Sequence, residues 1–236
     1  AIAELLISKG HTVIGTGRRQ EKLDELQTQL GDNFIPLNFD VSDLPATKTA
    51  LQTLPSDVLN NLDVLVNNAG LALGLEPADK TDFADWQQMV NTNILGLIHL
   101  THEILPLMVA NNDGYIINLS STAGNYPYFG GNVYGATKAF VTQFSLNLRA
   151  DLVGKNIRVS NIEPGLCGGT EFSNIRFHGD DAKAAQVYDS VQYVTPQDIA
   201  NMVAWLIEQP KHVNINRIEV MPTAQTFAGL KVVKDL

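Results

Sequence analysis

The sequence predicts an α/β fold built on a doubly wound parallel sheet, in a single domain that spans residues 1–236. Apolar runs of strand length alternate along the chain with segments of helical periodicity, a pattern typical of strand–helix–strand units. The runs are apolar throughout, as expected of strands that helices cover on both faces. No linker, repeat or low-complexity segment divides the 236 residues, a length that one large core can accommodate.

The elements follow one another in a regular order. Residues 1–10 read as the back half of a helix that stops at Gly10. Apolar runs predict strands at residues 12–16, 34–38, 62–67, 115–119, 157–162 and 217–221. Helical periodicity predicts helices at residues 21–30, 46–53, 86–110, 133–152 and 196–208. Sheets of this type bind ligands beyond the carboxyl ends of their strands, so function is expected in the loops that follow the strands.

The first residues lack the usual opening of a dinucleotide-binding sheet. In such sheets a first strand and a Gly-rich turn hold the pyrophosphate with backbone amides and a helix N-terminus. Neither G-x-G-x-x-G nor G-x-x-x-G-x-G occurs in the sequence, and the half-helix of residues 1–9 would begin with uncapped amides. We therefore expect a strand and a Gly-rich turn to precede it in the natural protein, which intact-protein mass spectrometry would test.

Composition argues against several classes of function. The balance of 16 basic and 25 acidic residues gives a net charge of −9, which disfavours a nucleic-acid partner. The apolar stretches are of strand length or are interrupted by polar residues, so neither a membrane span nor a signal peptide is expected. The single cysteine, Cys167, excludes an intrachain disulfide, suits the reducing cytoplasm and has no paired histidine nearby, so we interpret it as structural. No metal site is predicted.

The strongest functional signal is a tyrosine and a lysine four residues apart, with a serine upstream. Tyr134 and Lys138 would share one face of a helix, and Ser121 follows the strand predicted at residues 115–119. A nearby cation is expected to lower the pKa of tyrosine from about 10 toward working pH, which would make the phenol an acid–base catalyst. The alternative is a packed tyrosine and a solvated lysine, because this spacing also recurs by chance.

Two arginines follow the first predicted strand. In NAD-binding sheets this position usually holds an acidic residue for the ribose 2′-hydroxyl, whereas an arginine accommodates the 2′-phosphate of NADP. The sequence Gly17-Arg18-Arg19 supplies the cation and no acid. Arg18 is therefore predicted to bind the 2′-phosphate. Arg19 either assists it or is the first solvated residue of the next helix.

Two further strand ends carry candidate cofactor residues. Asp40 and Val41 follow the second strand and would place a carboxylate near the adenine amino group; a helix N-cap by Asp40 or by the serine two residues on is an equally good interpretation. After the third strand, the run from Asn67 through Ala69 to Gly70 would let the backbone approach a flat cofactor closely. The same residues are also ordinary turn formers.

Asn93 lies inside the long apolar helix predicted at residues 86–110. An amide lowers helix propensity there, and a buried one needs hydrogen-bond partners. It would either hold a water beside Lys138 or satisfy a neighbouring carbonyl.

Taken together, these motifs resemble the short-chain dehydrogenase/reductase family over essentially the whole chain. The resemblance rests on their order and spacing: Asn67-Asn68-Ala69-Gly70, Asn93, Ser121, Tyr134-x-x-x-Lys138 and Pro164-Gly165. More narrowly, the bacterial NADP-dependent 3-hydroxy acid dehydrogenases, also called serine 3-dehydrogenases or malonic semialdehyde reductases, are similar at residues 121–128, 130–140, 144–149, 163–165 and 168–172. The chain departs from the family at its absent Gly-rich turn, and from this group at Cys167, where an aliphatic residue is usual.

The resemblance implies a Rossmann-like sheet and the roles of the catalytic residues. Tyr134 is the general acid/base, Lys138 lowers its pKa and binds the nicotinamide ribose, and Ser121 orients the substrate oxygen. Asn93 holds the water of a proton relay. Hydride passes between the nicotinamide of NADP and the C3 hydroxyl carbon of a small 3-hydroxy acid, such as serine, allo-threonine or 3-hydroxypropionate.

The resemblance also implies the remaining cofactor contacts. Pro164 and Gly165 shape the turn beside the nicotinamide, the backbone of Cys167 contacts the nicotinamide amide, and Thr170 contacts the carboxamide or a phosphate. A cytoplasmic homotetramer is implied as well.

A substrate lid is expected at residues 166–193, because they interrupt the strand–helix rhythm at the ligand edge. A buried substrate carboxylate needs a cation. Within the lid Arg176 is predicted to supply it, in preference to His178 and Lys183, through its planar guanidinium. The alternative is an arginine solvated on a mobile loop.

Two other functions remain open. One is a carbonyl reductase for bulkier ketones, against which the residues shared with the hydroxy acid group weigh. The other is a non-catalytic cofactor-binding partner protein, suggested by the absent Gly-rich turn. Against this second alternative, Ser121, Tyr134 and Lys138 are all present.

Overall fold

The computed structural model describes residues 1–227 and contains parallel strands separated by helices. The strands are β1 Val13–Gly17, β2 Phe34–Asn38, β3 Val64–Asn67, β4 Gly114–Leu119, β5 Ile157–Pro164 and β6 Arg217–Val220. The helices are α1 Ile2–Ser8, α2 Gln20–Leu30, α3 Leu44–Gln52, α4 Ser56–Asn60, α5 Phe83–Val90, α6 Leu97–Asn111, α7 Asn132–Asp151, α8 Phe172–Arg176, α9 Asp181–Gln186 and α10 Pro196–Glu208. Short 3-10 turns form at Gly31–Asn33, Ala78–Lys80 and Thr122–Gly124, and a π-helical stretch, Asn91–Gly96, joins α5 to α6.

All six predicted strands and all predicted helices are present, with ends that differ by a few residues. The sequence patterns missed α4, α8 and α9. Each of these helices is only five or six residues long, which is too short to display an apolar periodicity.

The strands form two parallel ladders. β1 pairs with β2, and a four-stranded sheet has the order β3-β4-β5-β6. Helices cover both faces, because successive side chains of a strand point to opposite sides. In β4, Tyr115 and Ile117 pack against α10, whereas Ile116 packs against α6 and α7. Parallel strands with helices packed on both faces confirm the predicted fold class.

The two ladders are separated rather than joined into the single sheet that the pattern predicted. An apolar cavity of about 620 Å³ lies between β1 and β3, with Leu6, Ile14, Leu65 and Ile104 among its lining residues. Among the described residues no strand pairs with both β1 and β3.

The helix that runs through Phe83–Asn111 is long and apolar enough to cross a membrane, judged by length and composition alone. A core helix of a soluble protein passes the same test. Here Met89, Leu97, Ile104 and Met108 are buried along it, and Ile104 and Met108 belong to the cluster that packs under β4. The helix therefore carries little weight as evidence for a membrane partner.

The parallel direction of the strands brings their carboxyl ends to one edge of the molecule. Arg18 follows β1, Asp40 follows β2, Gly70 follows β3 and Ser121 follows β4. β5 ends at Pro164, directly before the segment that holds α8 and α9. This edge therefore collects almost all of the residues that the sequence singled out, as the fold class predicts.

Candidate active site

Ser121 lies at the carboxyl end of β4, where it caps the 3-10 turn Thr122–Gly124. Its Oγ accepts a hydrogen bond of 3.1 Å from the amide of Ala123 and donates one of 3.2 Å to the carbonyl of Pro164. The serine hydroxyl is thus fixed between the ends of β4 and β5. Its backbone is extended, as is usual for a capping serine.

Tyr134 and Lys138 lie one turn apart on α7, and only 7% and 6% of their surfaces are exposed. Nζ of Lys138 donates a hydrogen bond of 2.9 Å to the carbonyl of Leu119, the last residue of β4. The same Nζ lies 5.9 Å from the centroid of the Tyr134 ring. Both side chains line one cavity together with Ser121, as their spacing in the sequence predicted.

Two glycines allow the turn after β4 to lie directly against α7. A Cβ atom on Gly124 would come within 2.7 Å of backbone atoms of α7, and one on Gly135 would come within 2.9 Å of the carbonyl oxygen of Ala123. Contacts this short exclude any larger residue unless the backbone moves. The close approach puts Ser121 and Tyr134 in the same cavity wall.

The surroundings of Tyr134 reverse the predicted direction of its pKa shift. Burial dominates and raises the pKa to about 12, while the Ser121 hydroxyl lowers it, the Tyr128 phenol raises it and the charge of Arg176 lowers it. Burial also lowers the pKa of Lys138, to about 8, so the lysine remains largely protonated at neutral pH. The apolar setting penalises the charged forms of both groups.

Asn93 lies in the π-helical stretch and is 1% exposed. Its Oδ1 accepts a hydrogen bond of 2.8 Å from the amide of Leu71, and its Nδ2 donates to the carbonyl of Leu71 at 2.8 Å and to Oγ1 of Thr137 at 3.0 Å. The structure therefore shows the second of the two predicted roles of Asn93, a hydrogen bond to a neighbouring carbonyl. The water relay stays a prediction.

The segment after β3 divides between two cavities. Asn68 and Gly70 line the cavity that holds Tyr134, whereas Asn67 and Ala69 line the cavity between the ladders. Nδ2 of Asn67 donates to Oγ1 of Thr101 and to Oδ1 of Asn118, at 3.0 and 2.8 Å. The Asn67 side chain therefore braces β3 against α6 and β4.

Gly70 lies close to Lys138 and Asn93. A Cβ atom there would lie 3.2 Å from Nζ of Lys138 and 3.3 Å from Oδ1 of Asn93. The missing side chain leaves room for a flat ring to lie against the backbone. The residues at this edge therefore fit a bound nicotinamide ribose.

Arg18 and Arg19 are both exposed and both pair with carboxylates. Nη1 of Arg18 lies 3.4 Å from Oδ2 of Asp40. Arg19 forms two hydrogen bonds with Glu171, of 3.1 and 2.7 Å, at the N-terminus of α8. Burial raises the pKa of Asp40, but hydrogen bonds from Ser42 and the charge of Arg18 outweigh it and hold that pKa below its usual value. Two exposed cations at this edge fit a phosphate group on a cofactor.

Arg176 at the end of α8 lies beside the ring of Tyr134. Its guanidinium carbon lies 5.6 Å from the centroid of the Tyr134 ring and 5.7 Å from that of Tyr128. Nε donates to the carbonyl of Gly74 at 3.2 Å, and Nη2 donates to the Tyr128 hydroxyl at 2.8 Å. The sequence alternative of a solvated loop arginine therefore does not describe this residue.

The loop after β5 forms another wall of the cavity that holds Tyr134. The amide of Gly165 donates to the carbonyl of Val220 at 2.7 Å, which holds the turn against β6. Thr170 lines the cavity, and its Oγ1 accepts a hydrogen bond of 3.2 Å from the amide of Phe172. Burial raises the pKa of the Cys167 thiol, with a smaller contribution from Asp198. This thiol is therefore a poor nucleophile, which agrees with the interpretation of Cys167 as a structural residue.

The cavity has a volume of about 450 Å³. Sequence reasoning missed several aromatic residues that line it: Tyr126, Tyr128, Phe172, Tyr188 and Phe227. Of these aromatic residues, only Tyr126 and Tyr128 could have been found from the sequence, because they follow Ser121 within a few residues. Among the described residues, no group of three or more His, Cys, Asp or Glu side chains could hold a metal ion.

Comparison with known proteins agrees with this geometry. The family model described as short chain dehydrogenase matches residues 1–180. A probable NADP-dependent dehydrogenase of Haemophilus influenzae is 67% identical over 235 residues, which cover 100% of this chain and 93% of that protein. The NADP-dependent 3-hydroxy acid dehydrogenase YdfG of Escherichia coli O6:H1 is 55% identical over 231 residues, or 98% of this chain and 93% of that protein.

A solved structure extends the agreement to three dimensions. The closed form of serine dehydrogenase complexed with NADP+ has a TM-score of 0.97 and 54% sequence identity, and the match covers 99% of this chain and 94% of that chain. The resemblance inferred from the motifs is thereby confirmed, and the chain belongs to the short chain dehydrogenase family.

Proposed function

We propose that the protein is an NADP-dependent oxidoreductase that interconverts the C3 hydroxyl and carbonyl of small 3-hydroxy acids, of the serine, allo-threonine or 3-hydroxypropionate type. The observation that carries this proposal is the guanidinium of Arg176 beside the ring of Tyr134. A cation so close to the acid–base residue suits a substrate whose carboxylate lies a few atoms from its reacting carbon. The names of the relatives support the same substrate class.

The reaction needs a proton and a hydride to move in opposite directions. NADP supplies the hydride chemistry when it is bound. Tyr134 exchanges the proton with the substrate oxygen, and the Ser121 hydroxyl orients that oxygen from the fixed end of β4. A phenol whose pKa lies near 12 is protonated at neutral pH. It is therefore in the correct form to donate a proton when a carbonyl is reduced.

Oxidation of the alcohol requires the phenolate instead. Lys138 and Arg176 flank the Tyr134 ring, at 5.9 and 5.6 Å from its centroid. Both cations stabilise a negative charge on the phenol as it develops. We assign Lys138 a second role in binding the nicotinamide ribose, and Asn93 the role of holding a water that passes the proton onward.

The cofactor contacts are assigned by position along the carboxyl edge. Arg18 and Arg19 would bind the 2′-phosphate of NADP, and Asp40 with Val41 would lie near the adenine. The segment of Asn67, Ala69 and Gly70 would support the ribose, while Pro164, Gly165, Cys167 and Thr170 would hold the nicotinamide. The close approach at Gly70 and the cations after β1 support this order.

We also propose that residues 166–193 form a substrate lid within a single domain. The amide of Gly74 donates to the carbonyl of Arg176 at 2.8 Å, in the opposite sense to the bond from Nε of Arg176. Ser173 and Tyr188 connect α8 to the end of the segment through a contact of 2.7 Å. These contacts support a segment that closes over the substrate as one unit.

A substrate panel tests the proposed activity. The initial rate of NADP reduction would be measured with serine, allo-threonine and 3-hydroxypropionate, and with the matching alcohols that lack the carboxylate. We expect the acids to have the higher kcat/KM. Preference for bulky neutral ketones would identify a carbonyl reductase instead. NADP binding without any turnover would identify a non-catalytic partner protein.

We propose a cytoplasmic homotetramer as the working form, in keeping with the family resemblance. The partly exposed Phe140 stacks on Phe144 along α7, with centroids 5.8 Å apart, and such a pair is suited to burial between subunits. Sedimentation velocity would test the assembly, and a monomer at working concentration would contradict it. Cell fractionation would test the compartment.

A further inference from the structure

Glu163 is a fully buried carboxylate that the proposed mechanism does not use. It lies in β5, one residue before Pro164, and none of its surface is exposed. A buried charge is costly unless it is paired and hydrogen-bonded. Its presence beside the candidate active site therefore calls for a specific role.

Donors from several elements satisfy the two oxygens of Glu163. Arg217 of β6 donates through Nε at 2.9 Å and through Nη2 at 2.7 Å. Asn161 and Thr142 donate to Oε1 at 2.6 and 3.1 Å, and Asn125 donates to Oε2 at 2.7 Å. The carboxylate accepts on both oxygens, so its ionised form fits this site.

Two of these donors, Asn125 and Thr142, lie on the same turn and helix as the proposed catalytic residues. Asn125 ends the 3-10 turn that Ser121 begins. Thr142 lies on α7 one turn beyond Lys138, and its Oγ1 lies 3.0 Å from Oγ of Ser120. The Ser120 hydroxyl donates to the carbonyl of Lys138 at 2.6 Å.

We propose that Glu163 is a positioning residue that locks the Ser121 turn, α7 and the Pro164 turn into one geometry for hydride transfer. The proposal rests on the proposed function. Glu163 is not assigned a contact with the substrate. It acts through Asn125 and Thr142, and misplacement of reacting groups by about 1 Å can cost about 100-fold in rate.

The substitution Glu163→Gln keeps the size of the side chain but replaces one acceptor oxygen with an NH₂ group. That group would face Asn125 or Arg217, which are themselves donors, so at least one buried donor would lose its partner. Glu219→Gln is the matched control. Glu219 is exposed on β6 and accepts a hydrogen bond of 3.0 Å from the same Asn125.

The test is the first turnover of hydride transfer, in which enzyme saturated with excess NADP+ is mixed with saturating 3-hydroxy acid in a stopped-flow instrument and the burst of NADPH is followed. The rate constant reports geometry, whereas the amplitude reports the fraction of folded sites. We expect Glu163→Gln to lower the rate constant by roughly 10–100-fold at full amplitude. Glu219→Gln should stay within about threefold of the unmodified enzyme.

Asn125→Ala is the second variant, because it removes the same link while Glu163 keeps its pair with Arg217. It should lower the rate constant in the same way, and it decides the question if Glu163→Gln does not fold. An unchanged rate constant in either folded variant overturns the proposal, as does a loss confined to the amplitude. Absence of turnover in the unmodified enzyme overturns the proposed function as well, which separates the two failures.

Discussion

Tyr134 is a phenol in a site that resists its ionisation. Its ring packs in a cluster with Leu71, Leu73 and Met89, which are all buried, so little water can solvate a phenolate. The Ser121 hydroxyl and the Arg176 charge offset only part of that cost. The residue is therefore a neutral phenol near pH 7.

Removal of the Tyr134 hydroxyl should stop catalysis without disturbing the fold. Tyr134→Phe keeps the ring and deletes the proton, so we expect turnover to fall by at least about 100-fold. Steady-state kinetics with the best 3-hydroxy acid would measure the loss. Tyr126→Phe is the control, because the Tyr126 hydroxyl lines the same cavity but donates to Glu219. Near-native turnover of Tyr134→Phe would refute the acid–base role.

Lys138 should lower the free energy of unfolding, because its charge is buried. Burial lowers its pKa from 10.5 to about 8, so below pH 8 the lysine is protonated in the folded and unfolded states and the full desolvation cost is present. From pH 8 to 10.5 the unfolded state holds more protons, so stability rises with pH, and above 10.5 the cost is gone. Lys138→Met should therefore raise the free energy of unfolding near pH 7 by about 1–3 kcal/mol.

Urea unfolding across the same pH range would check this expectation. The advantage of Lys138→Met should shrink as pH rises through the interval between the two pKa values. An advantage that stays constant with pH would show that packing, and not charge, causes the difference. The variant should in any case lose activity, because the cation beside Tyr134 is gone.

Arg18 should decide the choice between NADP and NAD. Its guanidinium is exposed and lies 3.4 Å from Asp40, a distance too long for a strong ion pair, so it is available to a phosphate. Arg18→Ala should raise the Michaelis constant for NADPH and leave that for NADH little changed, because only NADPH carries the 2′-phosphate. Initial rates with both cofactors would measure this. Equal use of both cofactors by the unmodified enzyme would contradict the assignment.

At the scale of elements, the site depends on how closely a turn and a helix approach each other. The turn Thr122–Gly124 lies on α7 through Gly124 and Gly135, and α8 lies over the cavity through Arg176 and Gly74. The first contact is backbone against backbone and is rigid. The second consists of a few hydrogen bonds from a five-residue helix, which is the kind of contact that opens and closes.

The substitution Arg176→Met tests what that short helix contributes. We expect the Michaelis constant for 3-hydroxy acids to rise by roughly 10–100-fold, the scale of a lost charged hydrogen bond, with neutral aldehydes or ketones spared. Steady-state kinetics on both substrate types would separate the two. Lys183→Met on α9 is the control, because Lys183 is exposed. Equal losses on charged and neutral substrates would mean that Arg176 only supports the lid.

At the scale of the whole molecule, parallel strands turn distant positions into neighbours. Arg18, Gly70, Ser121 and Gly165 are spread over much of the chain, yet all follow carboxyl ends of strands. Side chains from a single helix, α7, then complete the site with Tyr134 and Lys138. The fold therefore explains why the functional motifs occur at strand ends and on one helix, and not as one contiguous segment.

The sequence by itself determined the strands, the longer helices and the three residues, Ser121, Tyr134 and Lys138, that line one cavity. These features depend on local periodicity and on residue types at fixed spacing, both of which are written along the chain. The same is true of the basic pair after β1, which lies at the strand end where the pattern predicted it.

Only the tertiary structure decided the rest. The pKa of Tyr134, the commitment of Asn93 to Leu71, the contact of Arg176 with Tyr128 and the burial of Glu163 all depend on residues distant in sequence. Spacing can place a cation four residues from a phenol, but it cannot say how much water remains between them. Desolvation is a property of the packed surroundings, so its size and even the direction of its effect were fixed only when the chain folded.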